Sequence, residues 1–484
     1  MLCAMSLLVL SGCTVGPDFV RPKAPAAEHY NQGKDPSETV PVDGLSQHFE
    51  QGVGPVANWW NLFGSKQLDA TVAEGLANNP SLEAAQASLR QSNDNLRAGY
   101  GIFYPQINAD LNPSRQKFSP ARFGSSAPAN IFNLVTLSAS VSYSLDIFGG
   151  EHRAIENLQS QVDLQRSTVL AAYLALSGNI VNTAIAMAAY REEITYTEQL
   201  IALQKELIAI TGKQVQAGTV PFASVLSLHS QLAALEATLP PLRQMMSQSE
   251  HLLATLAGHA PSEWTPEQVS MAKLSLPGKL PLSLPSELVR QRPDILAAEA
   301  QLHGASASIG VATAALFPSF TLNGSFGQNA TSMSGFFGSN ANFWSVGADL
   351  AAPLFNGGTL SAKKQAAIDA YQQSLALYRQ TVLGAFAQVA DTVRALEHDA
   401  ETMQAESQSV STSEQSLHLT QVNYQAGLIN YLQVLAADIQ YHQAKLAYLQ
   451  AQAQRLQDTT ALFVALGGGW WNAFNTQEPA GVAR

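Results

Sequence analysis

The chain is poor in cysteine, in charge and, over two long stretches, in proline. Its only cysteines are Cys3 and Cys13, so the 471 residues beyond Cys13 (484 − 13) hold none and can form no disulfide or thiolate metal site. Charged residues make up 13% of the chain, roughly half the usual share of about 25%. Lys and Arg number 26 against 37 Asp and Glu, a formal balance of −11 without a basic tract, which argues against a nucleic-acid partner. Beyond the N-terminal leader no uninterrupted apolar run reaches the ~18 residues that a membrane helix needs, so any membrane span must be built from strands. Catalytic signatures are missing too: no nucleophile elbow, no phosphate-cradling glycine loop, no His-Glu-x-x-His pattern. The histidines fall singly along helical stretches, and Met245-Met246 is a lone pair that reads as packing. No enzyme activity, cofactor or metal site is expected.

What is present is a sequence written twice. "NNPSLEAAQASLRQ" (78–91) matches "RQRPDILAAEAQLHG" (290–304), and "FYPQI" (103–107) matches "LFPSF" (316–320). "LDIFGG" (145–150) matches "APLFNGG" (352–358), and "QVQAG" (214–218) matches "VNYQAG" (422–427). "ATLAG" (254–258) closes the first copy and "VALGGG" (464–469) the second. The order is kept and the offset stays between 207 and 213 residues, the mark of an internal structural repeat.

Each copy opens on a proline-started helix, 81–101 or 294–314, and then alternates apolar and polar residues. In "NLVTLSASVSYSLDIFGG" (133–150), Val135, Leu137, Val141, Tyr143 and Leu145 alternate with Thr136, Ser138, Ser140, Ser142 and Ser144. Such a period-2 pattern puts one face of a strand in an apolar medium and the other in a polar one. Four strands are expected, at about 106–113, 134–146, 319–327 and 343–354, with Trp344 and Val346 on the lipid-facing side of the last. Long helical hairpins follow at 151–257 and 359–465, and their first arms, 151–215 and 359–425, contain no proline. The hairpins turn at Gly218-Thr219-Val220-Pro221 and at Gly427-Leu428-Ile429-Asn430.

Four strands cannot close a barrel, because spanning barrels begin at about eight strands and an open edge in lipid leaves backbone groups unsatisfied. Long helices with a narrow apolar stripe need neighbours for the same reason. The pattern therefore predicts a closed homo-oligomer. A periplasmic coiled-coil scaffold without a pore is the alternative from another class, and it would have no need of four alternating strands.

"MLCAMSLLVLSGC" resembles a bacterial lipobox, with small residues ahead of Cys13, which implies a signal peptide over 1–12 and a covalent lipid on Cys13. No Lys or Arg precedes its apolar run, as expected if translation starts a few codons upstream. The whole chain resembles the outer-membrane factor (TolC/OprM-like) family, in its lipoprotein, NodT-like branch serving RND-type efflux. The resemblance rests on "CTVGPDFVRP" (13–22), "WWNLF" with "QLDATVAEGLANNPSLEAAQASLRQ" (59–91), "LVRQRPDILAAEAQL" (288–302), "PLFNGG" (353–358) and "ALGGGW" (465–470). It implies a mainly α fold with a membrane β part. Three chains would form an α-helical barrel continuous with a shared 12-stranded outer-membrane β-barrel.

The implied function is the exit channel of a tripartite pump, working with a periplasmic adaptor and an inner-membrane RND-type pump. It would conduct drugs or other small toxic compounds passively across periplasm and outer membrane. A type I protein-secretion duct is the rival within the class. The expected organisation is a lipid-anchored segment over 13–64, repeats over 65–272 and 288–466, a linker over 273–287 and a tail over 467–484. The resemblance also places an adaptor at the tips, at Gly218, Thr219, Val220, Pro221, Phe222, Gly427 and Leu428. It places a periplasmic gate at Leu432 and its neighbours Tyr431, Leu435 and Asp438. The family's acidic ring falls on Ala436 here, and Asp438 lies two residues on, about 200° round the helix. Asp438 is accordingly expected to bind a neighbouring helix. Trp59-Trp60 and Trp470-Trp471 read as packing anchors.

Overall fold

The computed structural model describes residues 14–471 except 34, 43, 125 and 127, with only the backbone at 122 and 123. The leader, Cys13 and the end of the tail lie outside the described residues. In chain order the elements are β1 (His48–Gln51), α1 (Lys66–Asn78), α2 (Pro80–Gly99), β2 (Gln106–Phe118) and β3 (Asn130–Leu145). There follow α3 (Gly150–Gln216), α4 (Phe222–Glu236), α5 (Leu239–Leu256), β4 (Lys279–Leu282) and α6 (Pro285–Gln291). The second copy supplies α7 (Pro293–Ala314), β5 (Ser319–Ala330), β6 (Asn342–Ala351), α8 (Thr359–Gln425) and α9 (Tyr431–Ala465). The repeat is plain in the two long helices, α3 and α8, which are both 67 residues long.

The chain divides into two compact units that cut across the repeats, so each copy contributes to both. One unit comprises the chain up to Pro22, Ser88–Gln165 and Ala297–Tyr378. It holds a four-stranded antiparallel sheet in the order β2-β3-β5-β6, and the β3–β5 pairing joins the two repeats. The strands are longer than the alternation alone suggests: β2 runs on to Phe118 and β3 starts at Asn130, because the ladder continues through Arg115↔Asn133 and Lys117↔Ile131. Pro113 lies within β2, an edge strand in this sheet and the place where proline is tolerated. At the other edge β6 ends at Ala351, two residues before Pro353, so Leu354 falls outside the strand.

The second unit comprises Lys23–Ala87, Arg166–Leu296 and Arg379 onward. Its core gathers Trp59, Phe63, Leu68, Ile180, Ile185, Met187, Leu253 and Phe463, all at most 1% exposed. Trp59 stacks on Phe463 with centroids 5.3 Å apart and rings 9° from parallel, and Trp470 donates to the Gln291 carbonyl at 2.9 Å. One window of α3 is apolar enough for a membrane helix by composition, yet half of it is buried within the protein. The Pro/Leu-rich stretch expected as a linker is packed structure where β4 runs. Its β4 pairs in parallel with β1, and Leu280 and Leu282 are 0% and 2% exposed. The first returning arm, expected as one helix over 222–257, is broken between α4 and α5, where Pro240 and Pro241 lack the N–H groups that would continue the ladder.

Candidate functional site

The sheet sorts its side chains by face. Residues directly opposite in a ladder point the same way, and the pairs Ile107↔Val141, Leu111↔Leu137, Tyr143↔Leu322, Leu145↔Phe320 and Phe326↔Trp344 put one apolar surface across all four strands. Val135 and Val346 belong to it, paired with Pro113 and Gly324. The other face carries Asn108↔Ser140, Asp110↔Ser138, Ser142↔Asn323 and Ser325↔Ser345. Ile107, Trp344 and Val346 are 75%, 75% and 81% exposed on the single chain. So large a contiguous apolar surface marks contact with lipid or protein. The strands have 10 to 16 residues, enough for the ~9–11 that a tilted membrane strand needs.

In the second unit the long helices end in two equivalent turns. At the first, Gly218 N donates to Val215 O (3.0 Å) and Thr219 N to Gln214 O (3.0 Å). At the second, Gly427 N donates to Tyr424 O (2.9 Å) and Leu428 N to Asn423 O (2.9 Å). This is the Schellman arrangement, which needs a left-handed residue, and the glycines sit at φ +73° and +74°. Thr219 Oγ1 adds a bond to Gln214 O (2.9 Å). Pro221 and Asn430 precede α4 and α9, and the Asn430 side chain accepts from Gln433 N at 3.2 Å. Phe222 (62%), Leu226 (56%) and Leu428 (73%) stand exposed at these tips, while Val220 is half-buried.

The four residues at the start of α9 take different environments. Leu432 is half-buried. Leu435 is 1% exposed and packs inside its own unit, which corrects its assignment to a pore-facing gate. The Tyr431 hydroxyl hydrogen-bonds Glu206 of α3; that carboxylate, then burial and nearby charge, push Tyr431 above its ordinary value, and Tyr424 lies 5.2 Å from it ring to ring. Asp438, expected to bind a neighbouring helix, has a partner on its own helix in the single chain. It pairs with His442 on its own helix (Oδ1 to Nε2, 3.5 Å), because four residues bring side chains onto one helical face.

A family model described as outer membrane efflux protein matches residues 72–259 and 284–468. The chain belongs to that family. It is an outer-membrane efflux channel. The pyoverdine export outer membrane protein OpmQ of Pseudomonas putida is 30% identical over 420 residues, covering 86% of this chain and 89% of that protein. The channel's fold superposes on the outer-membrane channel OprN with a TM-score of 0.83, at 26% identity, over 95% of this chain and 100% of that one. It also matches the MtrE outer membrane channel of Neisseria gonorrhoeae with a TM-score of 0.80, at 26% identity, over 94% and 98% of the two chains.

Three polar groups of this efflux channel escape a reading of its sequence. Glu206 shows itself only through the packing of α3 against α9. The Arg455 guanidinium, 1% exposed, donates to Gln47 Oε1 (2.9 Å) and Thr39 Oγ1 (3.0 Å), tying the N-terminal segment to α9. Burial pulls Arg455 down from its ordinary value, with Asp399 and Tyr448 acting the other way. Asp399 of α8 hydrogen-bonds Asp458 of α9; burial, that bond and the like charge push Asp399 up to about 7. Helical spacing alone gives no signal for pairs between helices so far apart in sequence.

Proposed function

We propose that three chains close into one channel: a 12-stranded barrel in the outer membrane and an α-helical barrel below it, held by a lipid on Cys13. A periplasmic adaptor docks at the Gly218 and Gly427 tips, and an inner-membrane RND-type pump supplies the driving force. The channel conducts small toxic compounds passively, with Leu432 in the periplasmic constriction beside the Tyr431–Glu206 link. One observation carries this reading. The sheet has an apolar face across all four strands, while among the described residues its edge strands β2 and β6 each have a single neighbour. Four strands from each of three chains give the twelve that satisfy both edges.

The test is heat-modifiable migration of the outer-membrane fraction together with bilayer conductance. A band that collapses to the monomer on boiling, with discrete conductance steps, is the expected result. A monomer in detergent without conductance would sink the reading.

A further inference from the structure

Residues 14–22, the stretch directly after Cys13, do not hang free. Val15 N donates to Phe148 O at 3.0 Å, and the Arg153 side chain donates back to Val15 O at 3.4 Å. Arg153, 6% exposed, bridges Asp18 and Glu156 at 2.7 Å each. Glu156 in turn pairs with His303 (2.8 Å), whose ring stacks on Phe19 at 4.4 Å. Arg21 Nε closes the far end on Glu299 Oε1 at 2.6 Å. Gly16 sits at φ +97°, and a Cβ there would stand 2.5 Å from the Gly310 Cα, so the segment lies flat against α7 where only two glycines fit.

The segment crosses a seam. α3 belongs to the first repeat and α7 to the second, and Asn157 Nδ2 joins them by donating to Gly304 O (2.8 Å).

We propose that residues 14–22 are a latch: a folded strap that clamps the two repeats together where β3 gives way to α3. Because Cys13 is one peptide bond from Thr14, the latch also fixes where the anchor leaves the protein, a consequence that rests on the lipid reading above. The strap's own contacts hold it, independent of any acyl chain.

Hydrogen exchange of the strap peptide, followed by mass spectrometry on the full chain in detergent, tests this. Arg21→Glu and Glu299→Arg should each speed exchange by roughly fivefold, and the double variant should restore protection. Gly16→Val should free the strap as well, without the charge change. Unprotected exchange in the wild type, or a double variant as fast as either single one, would overturn the latch. The mass of the N-terminal peptide reports acylation separately, so an unlipidated Cys13 with a protected strap would sink the anchor reading and leave the latch intact.

Discussion

Val141 stands directly across the β2–β3 ladder from Ile107, and the adjacent pair, Ser140 with Asn108, points to the opposite face. One step along the chain thus separates the apolar face from the polar one. A Val141→Arg change places charge on the lipid face, at a cost of about 2–4 kcal/mol near the bilayer midplane, and should abolish the heat-modifiable oligomer. Ser140→Arg should leave assembly in place and alter conductance. If both variants assemble equally well, the face assignment is wrong.

The Tyr431–Glu206 bond ties α9 to α3 beside the proposed gate. Tyr431→Phe removes the hydroxyl that faces the Glu206 carboxylate, a loss of under about 1 kcal/mol at so solvated a site, and should raise the open probability in single-channel recordings. Leu432→Ala should raise conductance through the constriction. Unchanged conductance and antibiotic susceptibility in Leu432→Ala would remove it from the gate.

Asp399 gives the second unit a pH dependence whose sign is set by its shift. Its folded-state value, pushed up to about 7, exceeds the unfolded value near ~4. The folded protein holds the proton more tightly, so this contribution is fully present below about pH 4 and is lost as pH rises through about 7. Melting followed by circular dichroism should show the second unit losing stability across that window. Asp399→Asn should flatten the slope, and a variant with the wild-type slope would show that Asp399 is not the titrating group.

Trp59 is 1% exposed and stacks on Phe463, which binds the N-terminal segment to the end of α9. Trp59→Ala should cost about 3–5 kcal/mol, read as a lower denaturant midpoint with an unchanged slope. A loss under about 1 kcal/mol would mean that the stack is peripheral to the core.

Local patterns made much of this molecule readable before its structure. Serine alternation in β3, glycine at both tips and prolines at the starts of α2 and α7 act within a few residues, and each element lies close to where these signals put it. The rest depends on contacts between distant residues. The parallel pairing of His48 with Lys279 turns a proline-rich stretch into a buried strand, and nothing in either segment announces the other. Pro240-Pro241 is a local signal, and it breaks what the repeat suggested was one helix. Leu435 reads as a gate by position but is buried within the chain, because helical spacing alone does not say which face is covered.

The central claim, that three chains complete one barrel, is tested most directly by native mass spectrometry of the outer-membrane fraction in detergent. The account predicts one dominant species containing three copies of the chain; a monomer, or an assembly of any other number, would contradict it.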